Sequence, residues 1–403
     1  MSQQRTTVRY GIDRLLDGML ERLNGKRIGL VTNDAATTSA GYIRALTPSR
    51  LALREAGVNL ISLFSPEHGL GAAAADGAEV GQSIDPLTNL SVHSLYGAHF
   101  RPTPEQLAGL DLLLFDIPDV GARFYTYIWT LSHVMEACAE AGVPLWVLDR
   151  PNPLGGSVAD AEGPMLDEAR ISTFVGRWDI PIRHSLTAGE LARLWRKEKK
   201  LDLELTVVEM AGWNRADHWP ATGNPFVPAS PAMPSYEAAL VYPGTCFFEG
   251  TNVSEGRGTA NPFQQIGAPW MDGMAVADSF NAQAVPGIVA RPVQFTPTSG
   301  KFAGELCNGV MLHGVDPARA RPVQAGLLLL AEILDLHRDE FAWLPYPSAA
   351  NAPGFGHFDR LVGQLHIREA LSAQLDNLRS QIVGWTDVPG WDARVGEILL
   401  YNS

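Results

Sequence analysis

Glu67 and His68 stand side by side in the segment SLFSPEHGLGAAAADG, which covers residues 62–77. A carboxyl group next to an imidazole offers the acid and base groups that proton transfer requires. The same segment places Gly69, Gly71 and Ala74 at the G-x-G-x-x-G/A spacing of a dinucleotide-binding turn. The two interpretations predict different proteins, an acid–base catalyst or a nicotinamide or flavin enzyme.

Further polar side chains follow the apolar runs RIGLVT, DLLLF and PLWVL. In an open parallel sheet, ligands bind beyond the carboxyl ends of the strands. Asx turns and helix caps use the same positions, so a purely structural role is the alternative. The candidate residues at these run ends are Asn33, Asp34, Asp116, Asp119, Arg123, Asp149, Arg150 and Asn152.

A second polar cluster lies in YPGTCFFEGTNVSEGRG, residues 242–258. We expect it to follow an apolar strand directly, and its glycines allow the backbone to approach a ligand closely. Its candidate residues are Glu249, Asn252, Glu255 and Arg257. The alternative is a glycine-rich surface turn. Tyr125 and Tyr127 offer aromatic faces for a sugar ring, although most such side chains belong to the core.

Strand-like and helix-like segments alternate along the first half of the chain, which predicts βαβ units and a doubly wound, mostly parallel α/β sheet. The alternation loosens further on, and we expect a smaller α+β domain there. The domain boundary is predicted between residues 255 and 256. Strands are predicted at 27–32, 59–64, 91–96, 111–115, 144–148, 203–208 and 306–312, and helices at 12–23, 41–55, 125–140, 187–199, 324–336 and 367–382.

The composition is that of an ordinary globular protein, with 403 residues, 46% apolar residues and a formal charge of −13. This acidic balance argues against nucleic acid or an anionic membrane surface as a partner, so a local arginine must meet any anionic substrate. The first 25 residues lack a signal peptide's apolar core, and no 18-residue apolar run follows, which predicts a cytoplasmic protein without membrane insertion. The three cysteines have no metal-site spacing.

Several long motifs resemble the family of NamZ-type exo-β-N-acetylmuramidases, which recycle peptidoglycan. They are SPEHG at 65–69, FDIPDVGARFYTYIWTL at 115–131, DRPNPLGG at 149–156, EGP at 162–164, ALVYPGTCFFEGTNVSEGRGT at 239–259 and PFQQIGAPW at 262–270. The resemblance implies release of N-acetylmuramic acid (MurNAc) from the non-reducing end of peptidoglycan fragments. It also implies a Rossmann-like domain joined to a smaller C-terminal domain, and relatives that are often exported.

Glycoside cleavage needs one carboxylic acid to protonate the leaving oxygen and a second group for the oxocarbenium-like centre. Within the matching motifs we expect Glu67 to be the acid/base and His68 to orient it. The second group is Asp116, Glu249 or Glu255, with Asp116 and Glu249 ranked first. The acetamido group of MurNAc also allows a substrate-assisted reaction.

The lactyl carboxylate of MurNAc calls for a bidentate arginine, and Arg123, Arg150 and Arg257 are the candidates. The resemblance implies neither a cofactor nor a metal. The other expected substrate-binding residues are Asn33, Asp119, Tyr125, Tyr127, Asp149, Asn152, Asn252 and Glu255.

The dinucleotide interpretation is disfavoured because Pro66, Glu67 and His68 separate the glycines from the strand, and no acidic residue ends a strand about 20 positions on. A metal-dependent hydrolase using Glu67, His68, Asp116 and Asp119 is an alternative, but the chain has no H-E-x-x-H or comparable spacing. A serine esterase would need a G-x-S-x-G turn, which is missing. A non-catalytic muropeptide-binding module is the remaining alternative.

Overall fold

The computed structural model describes residues 7–75, 77–78, 81, 83–345, 356–373 and 377–402. The strands are β1 (Ile28–Thr32), β2 (Leu60–Ser65), β3 (Ser83–Ile84), β4 (Ser91–Ser94), β5 (Leu112–Asp116), β6 (Leu145–Leu148), β7 (Leu205–Val208), β8 (Gln265–Ala268), β9 (Ile288–Phe295) and β10 (Cys307–Gly314). The helices are α1 (Gly11–Gly18), α2 (Ser49–Glu55), α3 (Pro104–Leu107), α4 (Tyr127–Ala141), α5 (Ala188–Glu198), α6 (Tyr236–Thr245), α7 (Gly273–Ala282), α8 (Pro322–Leu336), α9 (His357–Val362), α10 (Leu365–Ala373), α11 (Leu378–Thr386) and α12 (Trp391–Val395).

Within these described residues, seven strands form one sheet in the order β3-β4-β2-β1-β5-β6-β7. Every neighbouring pair is parallel except β3 with β4. Alternate residues of β5 enter different cores: Leu113 and Phe115 join the larger one, and Leu112 and Leu114 join the smaller one. Both faces are therefore covered, which explains why the central strands are continuous apolar runs and confirms the doubly wound α/β prediction.

Local signals set the ends of the helices in this layer. The side chain of Thr187 accepts a hydrogen bond from the backbone N–H of Glu190, and the Glu190 side chain bonds back to Thr187, so α5 begins with a capping box. Helix α4 ends at Ala141 and is followed by the cap residue Gly142, whose φ of 64° is in the left-handed region that glycine adopts without steric cost.

The smaller sheet is antiparallel, in the order β8-β10-β9. Helix α7 packs on β9 and β10, and α8 packs on α7. The second, smaller α+β region expected from the sequence is therefore present, while the boundary between residues 255 and 256 stays a prediction.

The apolar segment before the 242–258 cluster, expected to be a strand, lies in helix α6. Ser235 caps this helix by accepting a hydrogen bond from the N–H of Ala238, and almost all of its residues are buried. A buried helix is apolar on every side, so its sequence has no periodic pattern to separate it from a buried strand. The cluster at 242–258 thus begins inside this helix and continues through a 3-10 turn at Cys246–Gly250.

Helices α6 and α8 approach each other at Gly244 and Gly326. A Cβ atom built on Gly244 would lie 2.0 Å from the carbonyl oxygen of Pro322, and one on Gly326 would lie 2.2 Å from the carbonyl oxygen of Gly244. Only glycine permits this backbone-to-backbone contact. It fixes the end of α6, where the 242–258 segment begins, against α8. We call this segment the 242–258 loop.

Three predicted helices differ in extent from the observed ones. The 41–55 segment is helical only from Ser49, and the 12–23 segment is α1 followed by a short 3-10 turn at Leu20–Leu23. The 367–382 segment contains parts of α10 and α11, with residues 374–376 between them outside the described part. No helix in the described residues is both long and apolar enough to cross a membrane.

Candidate active site

One pocket lies between two groups of segments. One wall contains the loop after β2 and the loop before α4, and the other contains the 242–258 loop and the start of α9. The pocket is lined by Glu67, His68, Gly77, Tyr96, Phe124, Tyr125, Thr126, Val175, Ser230, Ala232, Met233, Tyr242, Glu249, Arg257, Phe263 and His357. Sequence segments from both halves of the chain therefore share a single cavity. Two carboxylates, one guanidinium and two imidazoles meet there.

Glu67 lies just beyond the carboxyl end of β2, and its side chain is held at both oxygens. Oε1 accepts a hydrogen bond of 3.0 Å from the backbone N–H of Gly77, and Oε2 accepts one of 2.7 Å from the Thr126 hydroxyl. The residue is only 7% exposed. The carboxyl group is thus oriented toward the pocket by two different loops.

His68 occupies the turn after Glu67 with a φ of 67°, in the left-handed region. Its ring is oriented by a 2.8 Å contact between Nδ1 and the carbonyl oxygen of Ala74, in which the nitrogen must be the donor. Residues 66–75 form turns and start no helix. A dinucleotide fingerprint requires a helix at this point, so the glycine spacing in the segment has no such role.

Glu249 is the second carboxylate of the pocket, and two basic side chains bracket it. Arg257 Nη2 donates to Oε1 at 2.6 Å, and His357 Nε2 lies 3.2 Å from Oε2. Burial by itself favours the neutral carboxyl, but the Arg257 charge and the His357 contact outweigh it and lower the pKa of Glu249 to about 2. Glu249 is therefore an anion at neutral pH.

Tyr125 lines the pocket, whereas Tyr127 and Asn33 lie behind its wall. The Tyr127 hydroxyl donates to the carbonyl of Ala229 at 2.7 Å, and Asn33 Nδ2 reaches the same oxygen at 3.4 Å. These contacts hold the segment that carries Ser230 and Met233 into the pocket. Burial raises the pKa of Tyr125, so its hydroxyl stays neutral.

Asp116 and Arg150 do not line the pocket. They form a buried pair in which Arg150 Nε and Nη2 donate to the two Asp116 oxygens at 2.6 and 3.0 Å, and Nη2 also donates to the carbonyl of Thr37. Each neutralises the other, at the end of β5 and just beyond the end of β6. This pairing does not support the catalytic role expected for Asp116 or the lactyl contact expected for Arg150, and both stay predictions. Such a pair is expensive to break, at about 3–5 kcal/mol.

Arg123 also makes structural contacts away from the pocket. It is fully buried, and its Nη atoms donate to the carbonyls of Pro164, Ile180 and Leu361 at 2.7, 3.0 and 2.9 Å. This burial does not support the expected contact with the lactyl carboxylate, which stays a prediction. Since Leu361 belongs to α9, Arg123 supports the helix that brings His357 to the pocket.

Three more residues from the strand ends serve local structure instead of the pocket. Asp149 accepts from Thr187 Oγ1, Gly189 N–H and Tyr401 Oη, and burial raises its pKa to about 6. Asn152 bonds the backbone of Leu154 and Leu186. Asp119 accepts from the Gly121 N–H and contacts the His184 ring. These side chains anchor the loops behind the pocket.

Asn252 and Glu255 support the 242–258 loop from outside the cavity. The Asn252 amide bonds the backbone of Glu340 and Ala342 at 2.7 and 2.8 Å. Glu255 lies between Lys301 Nζ at 2.9 Å and Arg257 Nε at 3.3 Å. Neither residue lines the pocket, so the expected direct contact with substrate is not supported for either.

Sequence reasoning missed Thr126 and His357. Thr126 lies in the motif at 115–131, and its position directly before α4 could have indicated that its hydroxyl faces the site. His357 begins α9 outside every motif that pointed to a site, so no signal in the sequence indicated it. The described residues contain no group of three or more His, Cys, Asp or Glu side chains arranged to hold a metal ion.

Known proteins with this architecture are found by sequence and by structure. Residues 28–237 match the family described as exo-beta-N-acetylmuramidase NamZ, N-terminal, and residues 240–401 match its C-terminal counterpart. The peptidoglycan beta-N-acetylmuramidase NamZ of Bacillus subtilis (strain 168) is 44% identical over 366 residues, which cover 91% of this chain and 84% of that protein.

Two solved structures of DUF1343 family proteins from Bacteroides fragilis NCTC 9343 share the fold. One is 33% identical with a TM-score of 0.85, and the other is 28% identical with a TM-score of 0.72. In both cases the alignment covers 99% of this chain and all of the other. The likeness extends over the Rossmann-like sheet and the smaller sheet together.

Proposed function

This chain belongs to the NamZ family of exo-β-N-acetylmuramidases, and from that premise we propose that its pocket hydrolyses a terminal MurNAc glycoside with Glu67 as the acid and Glu249 as the anionic group. The protein is thus a glycosidase that acts on peptidoglycan. The observation that carries the assignment of the site is the meeting of these two carboxylates in one cavity. Asp116, which the sequence ranked equally with Glu249, forms a buried ion pair with Arg150 instead.

The surroundings of the two carboxylates support different roles. Thr126 and Gly77 hold the Glu67 carboxyl in place through neutral donors, which gives it the fixed position that a general acid needs. Glu249 lies against the cationic Arg257 and stays ionised, because its pKa is lowered to about 2. A carboxylate held in that state cannot donate a proton, but it stabilises positive charge that develops at the anomeric carbon.

Arg257 is the proposed recognition residue for the lactyl carboxylate of MurNAc. Among the three arginines expected from the sequence, it alone lines the pocket, whereas Arg123 and Arg150 are buried in structural contacts. An arginine in this acidic protein offers a charge-assisted bond that N-acetylglucosamine, which has no lactyl group, would not form. The pocket wall near Arg257 includes Tyr242 and Phe263, which give a sugar ring apolar surface.

The test is release of nitrophenol from a chromogenic β-N-acetylmuraminide and from the matching β-N-acetylglucosaminide, by wild-type protein in the presence of a chelator. We expect turnover of the muraminide alone, with no loss when the chelator is added. Turnover that stops with chelator would favour the metal-dependent alternative, and binding without turnover would favour the sugar-binding module. The cytoplasmic location stays a separate proposal, which fractionation of cells with an antibody to the chain would test.

A further inference from the structure

Five side chains form a line of alternating basic and acidic groups that starts outside the pocket and ends inside it. Lys301 Nζ lies 2.9 Å from Glu255 Oε2, and Glu255 Oε1 lies 3.3 Å from Arg257 Nε. Arg257 Nη2 lies 2.6 Å from Glu249 Oε1, and Glu249 Oε2 faces His357 Nε2 at 3.2 Å. Glu249 is therefore the fourth member of a network whose first member, Lys301, touches neither the pocket nor Glu249's carboxylate.

Lys301 belongs to the segment between β9 and β10, and its ammonium group sits within the 242–258 loop. Besides Glu255, Nζ donates to the carbonyls of Phe248 and Val253 at 2.7 and 3.0 Å, with the Glu249 carbonyl at 3.4 Å. An ammonium group has three N–H donors, so these partners use its full capacity. The backbone on both sides of Glu249 is thereby fixed around one positive charge.

The network contains a competition between two carboxylates for one guanidinium. Glu249 and Glu255 both contact Arg257, and a carboxylate without its own cation draws a shared guanidinium more strongly. Glu255 has a second cation in Lys301. Without the Lys301 charge, Glu255 would depend on Arg257 alone, and the contact between Arg257 and Glu249 would weaken.

We propose that Lys301 is a positioning residue of the muramidase reaction: by holding Glu255 it leaves Arg257 to Glu249 and to the substrate's carboxylate. This inference rests on the proposed role of Glu249. Lys301 acts through charge as well as through its carbonyl contacts, and these two contributions are separable because Glu255 can be neutralised independently.

The test is a double-mutant cycle with Lys301→Met, Glu255→Gln and the combined variant, measured as kcat and KM on the chromogenic muraminide. Lys301→Met leaves Glu255 with Arg257 as its remaining cation in the network and should lower kcat more than it changes KM. The combined variant removes the competitor and should recover kcat by about tenfold relative to Lys301→Met, within the range of coupling found for neighbouring charges. A combined variant no more active than Lys301→Met would overturn the proposal.

A pH profile gives a readout that a purely structural role would not produce. The ionisable groups that face Glu249 are Arg257, His357, Cys246 and Tyr242, and none of these changes in Lys301→Met. Weaker contact with Arg257 should raise the pKa of Glu249, so the acid limb of kcat/KM should move to higher pH, and return in the combined variant. An acid limb at the wild-type position in Lys301→Met would contradict the charge argument.

Lys301→Arg serves as the conservative control, because it retains the positive charge and should keep more activity than Lys301→Met. If Lys301→Met does not fold, as circular dichroism and thermal melting will show, the cycle is run with Lys301→Gln. Wild-type protein that fails to cleave the muraminide would refute the proposed function itself. Active wild-type protein with additive effects in the cycle would refute the Lys301 proposal alone.

Discussion

Replacing Glu67 by Gln removes the proposed acid while keeping its shape and contacts. The Gln oxygen can accept from the Gly77 N–H, and its NH₂ can donate to Thr126 Oγ1 once that hydroxyl rotates. Residue 67 can thus keep both hydrogen bonds, with Thr126 as the acceptor in one of them, so we expect the free energy of unfolding to change by less than about 1 kcal/mol. A loss of activity in Glu67→Gln would then report on chemistry.

The size of that loss should depend on the leaving group. General acid catalysis contributes about 10²–10⁴ in rate, and a factor of about 10³ corresponds to about 4 kcal/mol of transition-state stabilisation. We expect this full loss on a MurNAc–GlcNAc disaccharide, whose sugar alkoxide must be protonated as it leaves. Nitrophenolate is a stable anion, so the aryl muraminide should lose much less.

The assay compares kcat/KM of wild type and Glu67→Gln on both substrates, with sugar release followed chromatographically for the disaccharide. Glu140→Gln is a matched control, since that glutamate is on the exposed surface of α4 and bonded to Arg101. Equal losses on the two substrates would refute the acid role and indicate instead that Glu67 attacks or stabilises the anomeric carbon. An unchanged rate on both would remove Glu67 from the mechanism.

Three further predictions concern other contacts. His357→Gln keeps an N–H donor but removes the imidazole, so the pKa of Glu249 should rise and the acid limb of kcat/KM should move up by about one pH unit; an unmoved limb would contradict this. Arg257→Lys should narrow the kcat/KM ratio between muraminide and glucosaminide, and an unchanged ratio would rule out the lactyl contact. Tyr401→Phe removes a hydrogen bond to the Asp149 carboxylate. The pKa of Asp149 is about 6 in the folded state, above its unfolded value, so the contribution of Asp149 to the free energy of unfolding is fully present at low pH and falls as the pH rises through about 4–6. The urea stability of Tyr401→Phe should therefore drop by about 1.5–3 kcal/mol at pH 7.5 and by less at pH 4.5, and equal drops would refute the linkage.

The strands of the large sheet were predictable because buried parallel strands leave a direct mark on the sequence. Both β1 and β5 are short apolar runs bounded by polar residues, since each is covered on two faces. Helix α6 escaped because complete burial removes the polar side from which helical periodicity is recognised. Burial on both faces therefore made the strands recognisable in the sequence, but burial on all sides made helix α6 look like a strand.

The candidate site was only partly predictable for a related reason. Polar residues do gather at the strand ends, but a residue type does not reveal whether its partner is a ligand or another side chain. Glu67 lines the pocket, whereas Asp116 meets Arg150. His357 lies 108 positions from Glu249, and no local spacing connects the two. Their catalytic roles stay predictions until the variants are measured.

The joining of distant segments at the pocket has a consequence for how the protein acquires activity. His357 meets Glu249 across 108 positions, and Arg123 meets the carbonyl of Leu361 across 238. Closing such long loops costs chain entropy before the new contacts offset that cost, and topologies with distant contacts fold slowly. During refolding, helical circular dichroism should therefore return ahead of muramidase turnover, which makes enzymatic recovery a reporter of the last long-range closures.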